Sequence, residues 1–244
     1  GADLHTPDET LERFVGTPRM TAPARSLALT LDLRAQHTVD RVVAGPAGWR
    51  LGTLEQGELP ETFDAVVLAV PAPQAVPLLA PVHPQFAGVA ALARMRPSWA
   101  LMLRYDAPLD LHFDAAFVNH GPLRWVARDS HKPGRGPQET WLLHATPHWS
   151  EAHLEDTPEA VAEALLAAFA KLGAEPAPAA WSAHRWRFAD TEASLDRNCC
   201  WDEEARIGLC GDWLNGGKVE GAWLSGRGLA RRIGASAPVI AARP

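Results

Sequence analysis

The run DAVVLAV, residues 64–70, is apolar without alternation. A strand with one wet face alternates apolar and polar side chains, because successive residues point to opposite faces. A strand without alternation calls for cover on both faces, as in a parallel sheet flanked by helices. This one stops at Pro71-Ala72-Pro73, and a second buried-type run, RIGLC at 206–210, comes much later in the chain. Between them the texture changes. WALMLRY, AAFVN, LRWVARD and TWLLHAT, within 97–147, are short spaced strands rich in aromatic and branched residues. Their polar, Pro- and Gly-rich connections, such as SHKPGRGPQE, mark an antiparallel sheet. AWSAHRWRF (180–188) reads as one more strand. A helix precedes it, capped by Thr157, with Pro158 at its first position, an apolar stripe of Val161, Leu165, Phe169 and Leu172, and Gly173 at its end. Upstream, residues 21–35 read as a helix with Leu27, Leu31 and Arg34 on one face. TVDRVVAGPAGWRLGTL reads as a hairpin turning at Gly45–Gly48, and PQAVPLLAP and HPQFAGVAALARM as helical turns broken by prolines. The fold class is α/β, mixed: a parallel-type unit interrupted by an antiparallel sheet.

Composition narrows the partners. The formal net charge is −6 and no block of lysines or arginines occurs, which argues against nucleic acid and anionic membranes. No apolar run approaches the roughly 20 residues of a membrane span. The opening GADLHTPDET has neither the basic start nor the apolar core of a signal peptide. Three cysteines, two of them adjacent (Cys199, Cys200), make no disulfide framework, so a reducing, cytoplasmic setting is expected. His144, His148 and His153 have the spacing of no common metal site, and Pro147 interrupts any helix between them, so no metal is expected. No G-x-S-x-G or Walker motif appears, and no strong general base stands out, so no catalytic residue is assigned.

The stretch GLCGDWLNGGKVEGAWLSGRGLARRI (208–233) carries the chemistry. A buried strand runs into a Gly-rich turn and then a helix, although each glycine inside a helix costs about 1 kcal/mol relative to alanine. A helix N-terminus offers free N–H groups and about half a positive charge, which suits a phosphate or other electron-rich group. Gly216 and Gly217 allow close backbone approach, and Asp212 is placed to accept from a sugar or ribityl hydroxyl. Gly221 and Ser225, with Ala222 and Gly226 beside them, give a small-residue face that suits a flat ring or a tightly packed sheet equally.

GDWLNGGKVEGAWLSG resembles the C-terminal FAD-contact motif of amine-oxidase type flavoproteins, and within them the chain most resembles the bacterial renalase-like FAD-dependent oxidoreductases. The motifs GTPRMTAPARSLA, FDAVVLAVPAPQAVPLL, RPSWALMLRYD, WVARDSHKPGR, ETWLLHATPHWS and AHRWRFA occur in the order that family shows, from about residue 13 onward. The resemblance implies noncovalent FAD. Asp212 would take its ribityl or pyrophosphate side, and the N–H groups of Val219 and Glu220 its flavin O2 end. Val39 would flank the adenine and Ala69 to Pro73, including Pro71, the ADP half, while Gly211, Trp213, Gly217 and Ala222 complete the cofactor set. Trp99, Trp125, Trp141 and Trp186 are candidate slot walls, with core packing of the antiparallel sheet favoured for at least two of the four, and His144 and Arg185 are polar anchors. The implied reaction passes a hydride from dihydro isomers of NAD(P) to flavin and then to O2, giving hydrogen peroxide. An amine or polyamine oxidase is the alternative, although Tyr105 is the only tyrosine and excludes a tyrosine cage.

One departure stands out. The family's opening G-x-G-x-x-G turn is absent; GRGPQE and GRGLAR have only its first two glycines. The expected layout is therefore a FAD-binding domain from 1–80 and 190–244 without its first dinucleotide-binding unit, and a substrate domain over 81–189. A chain of this kind is expected to purify without flavin and to associate through strand 64–70, or to be a catalytically silent fragment.

Overall fold

The computed structural model describes residue 12 and residues 14–236. In chain order the elements are α1 (Ala22–Ala28), β1 (Val39–Gly45), β2 (Gly48–Thr53), β3 (Gly57–Glu58), β4 (Val66–Leu68), α2 (Ala72–Leu79), α3 (Pro84–Ala91) and β5 (Met95–Arg104). There follow β6 (Ala115–Phe117), β7 (Leu123–Arg128), β8 (Thr140–Ala145), α4 (Pro147–Ala152), α5 (Pro158–Ala170), β9 (Ala180–Thr191), β10 (Cys200–Asp202), β11 (Ile207–Leu209) and α6 (Lys218–Ser236). No helix among the described residues is long and apolar enough to cross a membrane.

The chain divides into two units. The described residues up to Leu33 group with Pro97–Arg187, and Arg34–Arg96 with the residues from Phe188 onward. These divisions differ from the expected 80/81 and 189/190. Residues 16–18 join the antiparallel unit because Arg135 Nη1 donates to the Gly16 carbonyl at 3.0 Å. Helix α3 joins the other unit because Ala87 and Ala90 are buried in that unit's core.

The first unit is built on a five-stranded sheet in the order β6-β7-β8-β5-β9. One face carries Trp99, Leu101, Leu103, Val126, Trp141 and Leu143, which form a core with Val161, Leu165 and Phe169 of α5. The helix forms as its sequence dictates: the Thr157 hydroxyl accepts from the Ala160 N–H, and Gly173 leaves the helix at φ 105°. Each such buried Leu or Phe contributes roughly 1.5–3 kcal/mol. A buried ion pair lies within this core. Arg128 Nε is 3.2 Å from Glu139 Oε1, and Glu139 also accepts from Trp141 Nε1 (2.7 Å), the Leu109 N–H (3.3 Å) and the Ser130 hydroxyl (3.2 Å). Burial, with Glu139 adding, pushes the Tyr105 hydroxyl up to about 12.

The second unit has two small sheets, β1-β2-β3 and β10-β11-β4. Its core joins Val42, Trp49, Leu68, Leu79, Ile207, Leu209 and Trp213. The hairpin turns where expected, with Gly45 opposite Gly48. Strand β4 is parallel to β11, as the apolar runs imply, yet it spans only three residues and Val67 is 40 % exposed, so cover is one-sided there. The helix expected over 21–35 stops at Ala28. Leu27, Leu29, Leu31 and Leu33 are 62–84 % exposed, so no packing extends this marginal helix.

Candidate functional site

In the second unit the carboxyl ends of β4 and β11 lie side by side, with Val66 opposite Ile207 and Leu68 opposite Leu209. The Cys210 N–H donates to the Leu68 carbonyl (3.1 Å), and Trp213 Nε1 to the Val70 carbonyl (3.1 Å). Ala69, Pro71, Gly211 and Asp212 are thus brought to one end of the sheet, which is where open α/β sheets hold ligands. Trp213 itself is 1 % exposed, and a Cβ on Gly211 would lie 2.6 Å from its Nε1. Its indole is a buried wedge beneath the turn. Val39 opens β1 and packs partly against the same core.

The turn is tightly bonded from within. The Asp212 carbonyl accepts from the Asn215 and Gly217 N–H groups, both at 2.9 Å, and the Gly216 N–H donates to the Ser194 hydroxyl at 2.7 Å. Gly216, Gly217 and Lys218 have φ of 73°, 67° and 64°. A Cβ on either glycine would meet nothing within 4 Å, so it is the left-handed backbone that requires glycine there. Helix α6 then starts at Lys218, with Val219 (87 % exposed), Glu220 and Ala222 all open to solvent. Its first-turn N–H groups have no acceptor within the helix. Open space over Gly216 and Gly217, the exposed start of a long helix and the adjacent Asp212 carboxylate fit the polar part of FAD.

Gly221 and Ser225, on the small-residue face of α6, pack on protein, while Ala222 beside them is open to solvent. A Cβ on Gly221 would lie 1.9 Å from the Asn215 carbonyl oxygen. Ser225, fully buried, accepts from the Gly211 N–H at 3.0 Å and donates to the Asn198 carbonyl at 2.5 Å. Sequence reasoning placed Ser225 on that face but missed this bridging role, which depends on where Asn198 comes to lie.

In the first unit, strand register sorts the expected substrate residues. Residues directly opposite in antiparallel strands share a face. Phe117 faces Trp125, Trp125 faces His144, and His144 faces Ala100, giving one row across four strands. A second row runs Ala115, Ala127, Leu142, Met102. Both rows lie on the face opposite the α5 core. The Phe117 and Trp125 rings are 4.6 Å apart, and Phe117 and Met102 are 61 % and 42 % exposed. Trp186 is 55 % exposed and packs edge-on against His184 at 4.4 Å. Arg185, between them, stands 5.5 Å over the Trp99 ring on the core side, so His184 and Trp186 belong to the open face.

Trp125, His144 and Trp186 therefore share the face opposite the α5 core, Trp186 exposed and Trp125 and His144 half-buried, while three other expected residues do not. Trp99 (2 % exposed) donates from Nε1 to the His153 carbonyl, and Trp141 (1 %) to Glu139; both are core residues. Arg185 is held by Glu155 at 2.8 Å and by the Leu154 carbonyl. Phe117, Met102 and Leu142 were missed; their parity with His144 along the strands is the signal that finds them. Burial, with Arg124 and Lys132 adding, holds the His144 imidazole below its usual range, so it favours the neutral form. Among the described residues no three His, Cys, Asp or Glu side chains gather into a metal-holding group.

Two solved structures share the fold. A proposed protoporphyrinogen oxidase from Exiguobacterium sp. 255-15 matches with a TM-score of 0.68 at 17% identity, over 90% of this chain and 51% of that one. Cyclohexylamine oxidase from Brevibacterium oxydans IH-35A matches with a TM-score of 0.56 at 17% identity, over 81% of this chain and 48% of that one. The chain spans about half the length of these structures, and at such identity they speak to fold alone. The model of the flavin containing amine oxidoreductases matches residues 3–234, and on that match the chain belongs to this family.

Proposed function

We propose that this chain provides part of an FAD-dependent oxidoreductase of the renalase-like type, which removes a hydride from a dihydro isomer of NAD(P) and delivers it to O2 as hydrogen peroxide. FAD, when bound, supplies the hydride acceptor. The residues of this chain supply orientation and polarity. The first-turn N–H groups of Val219 and Glu220 favour an electron-rich oxygen at the helix start. The Asp212 carboxylate accepts from a hydroxyl of a sugar or ribityl chain. On the open sheet face, Phe117 and Trp125 offer area to a flat ring, worth roughly 0.5–1.5 kcal/mol per aromatic pair beyond simple burial.

The observation that carries the reading is the composition of the two rows. They contain one titratable side chain, His144, and its environment favours the neutral imidazole. Hydride loss from a dihydronicotinamide needs positioning and no strong base, which such a surface suits. Tyr105, 2 % exposed, takes no part in an open aromatic cage for an amine.

Protein prepared with excess FAD is mixed anaerobically with a dihydro isomer of NAD or with cyclohexylamine, and flavin bleaching is followed. Faster bleaching by the dihydro isomer, slowed in Trp125→Ala, is expected. Faster bleaching by the amine would move the reading to amine oxidation.

A further inference from the structure

We propose that Cys199 and Cys210 are a disulfide-forming pair, a redox modification site directly beneath the Gly211–Gly217 turn. Cys200 lies opposite Leu209 in the antiparallel pairing of β10 with β11. One step outward, Cys199 therefore lies opposite Cys210. The backbone directions identify the kind of pair. Val66 N–H donates to the Arg206 carbonyl, and Cys210 N–H to the Leu68 carbonyl. Even-numbered residues of this strand thus turn their backbone groups toward β4, and odd-numbered ones toward β10. Cys199 and Cys210, one step beyond the last paired residues, continue the ladder to a position of the non-hydrogen-bonded kind, where Cα atoms of regular strands sit about 4.5 Å apart. Disulfides span Cα separations of roughly 4.4–6.8 Å, a range that includes this spacing.

The side chains meet on one face. Cys199 (3 % exposed) and Cys210 (7 %) form a small buried cluster with Leu229 of α6, with Trp201 and Ile233 packed against it. Cys200 is buried in the other core, with Ile207, Leu209 and Trp213, and points away from this pair. Burial raises the thiols of both partners, and the nearness of Cys199 raises Cys210 further. All three cysteines are free in this structure.

The position gives the bond a consequence. Ser225 already bridges the Gly211 N–H and the Asn198 carbonyl, one residue beyond Cys210 and Cys199. A disulfide would fix covalently what Ser225 holds by hydrogen bonds. With hydrogen peroxide as oxidant the step balances. One thiolate sulfur attacks a peroxide oxygen, the O–O bond breaks, and water leaves after protonation, giving a sulfenic acid. The second thiolate attacks that sulfur, the S–S bond forms, the S–O bond breaks, and a second water leaves. The two sulfurs lose two electrons and the peroxide gains them.

The test treats the folded 244-residue chain with hydrogen peroxide, then counts thiols after denaturation and maps the linked peptides by mass. The expected result is a fall from three free thiols to one, an intramolecular Cys199–Cys210 link, and recovery with dithiothreitol. Cys200→Ser should form the same link, and Cys210→Ser should form none. A link that includes Cys200, disulfide-bonded dimers alone, or three surviving thiols while the urea-unfolded chain oxidises would each overturn the proposal.

Discussion

Gly221→Ala and Gly226→Ala place the same methyl group on the same helix, and the structure assigns them opposite signs. By propensity alone each should stabilise α6 by up to about 1 kcal/mol. A Cβ on Gly226 meets nothing within 4 Å, so that gain survives. At Gly221 the new Cβ would lie 1.9 Å from the Asn215 carbonyl oxygen, 1.1 Å inside the 3.0 Å below which real contacts essentially never fall. The obstacle is backbone, so no rotamer relieves it. The turn must move, and it is held by the Asn215 and Gly217 N–H bonds to Asp212 and by the Gly216 bond to Ser194. Overpacking typically costs about 1–3 kcal/mol, and each hydrogen bond loosened about 1 kcal/mol more. The propensity gain offsets only part of this, leaving a net loss of about 1–3 kcal/mol for Gly221→Ala. Urea unfolding of parent and both variants, followed by far-ultraviolet circular dichroism, reads the midpoints directly. A Gly221→Ala midpoint at or above that of Gly226→Ala would refute the close approach of the turn to the helix.

Three further outcomes are expected. Loaded with excess FAD alongside the parent, Asp212→Ala should retain less flavin on gel filtration while keeping the parent's circular dichroism spectrum; a loaded parent that retains flavin, matched by the variant, removes Asp212 from the cofactor surface. Glu139→Ala leaves buried Arg128 with only the exposed Asp114 carboxylate, 3.7 Å away, and should destabilise by about 3–5 kcal/mol, with Glu139→Gln less severe, as read from denaturant midpoints. A midpoint within error of the parent would mean that the pair is not buried as described. His144 has its folded pKa below the unfolded value, so its contribution is complete above about pH 6.5 and shrinks as pH falls, because the unfolded chain binds the proton first. Stability between about pH 7 and pH 5 should therefore depend less on pH in His144→Gln, and an unchanged slope counts against the buried imidazole.

The parts of the fold that were legible in the sequence are those fixed by local chemistry. Thr157, Pro158 and Gly173 bound α5, the glycines at 45 and 48 turn a hairpin, and the apolar runs at 64–70 and 206–210 pair in parallel. What was not legible depends on partners distant in sequence. Residues 21–35 have helical spacing, but nothing among the described residues packs on their leucines, and spacing without cover does not sustain a helix. The tryptophans show the same limit more sharply. Trp99, Trp125 and Trp141 look alike along their strands, yet two face the α5 core and one the open face. In β7, the register shift between Leu123 and Trp125 sets two residues of the same parity on opposite faces. A bulge of this kind breaks the two-residue period on which every sequence argument about faces rests, and it carries no signature in the residues themselves. The bulge is thus what lets Leu123 face the core although Trp125, two residues on, stands beside His144 on the other face, whereas Trp141, in a regular strand, goes to the core as simple alternation dictates. Removing the irregularity, by deleting Arg124, would make Leu123 and Trp125 neighbours on opposite faces by simple alternation, so Leu123 should stay in the core and Trp125 in the aromatic row beside His144.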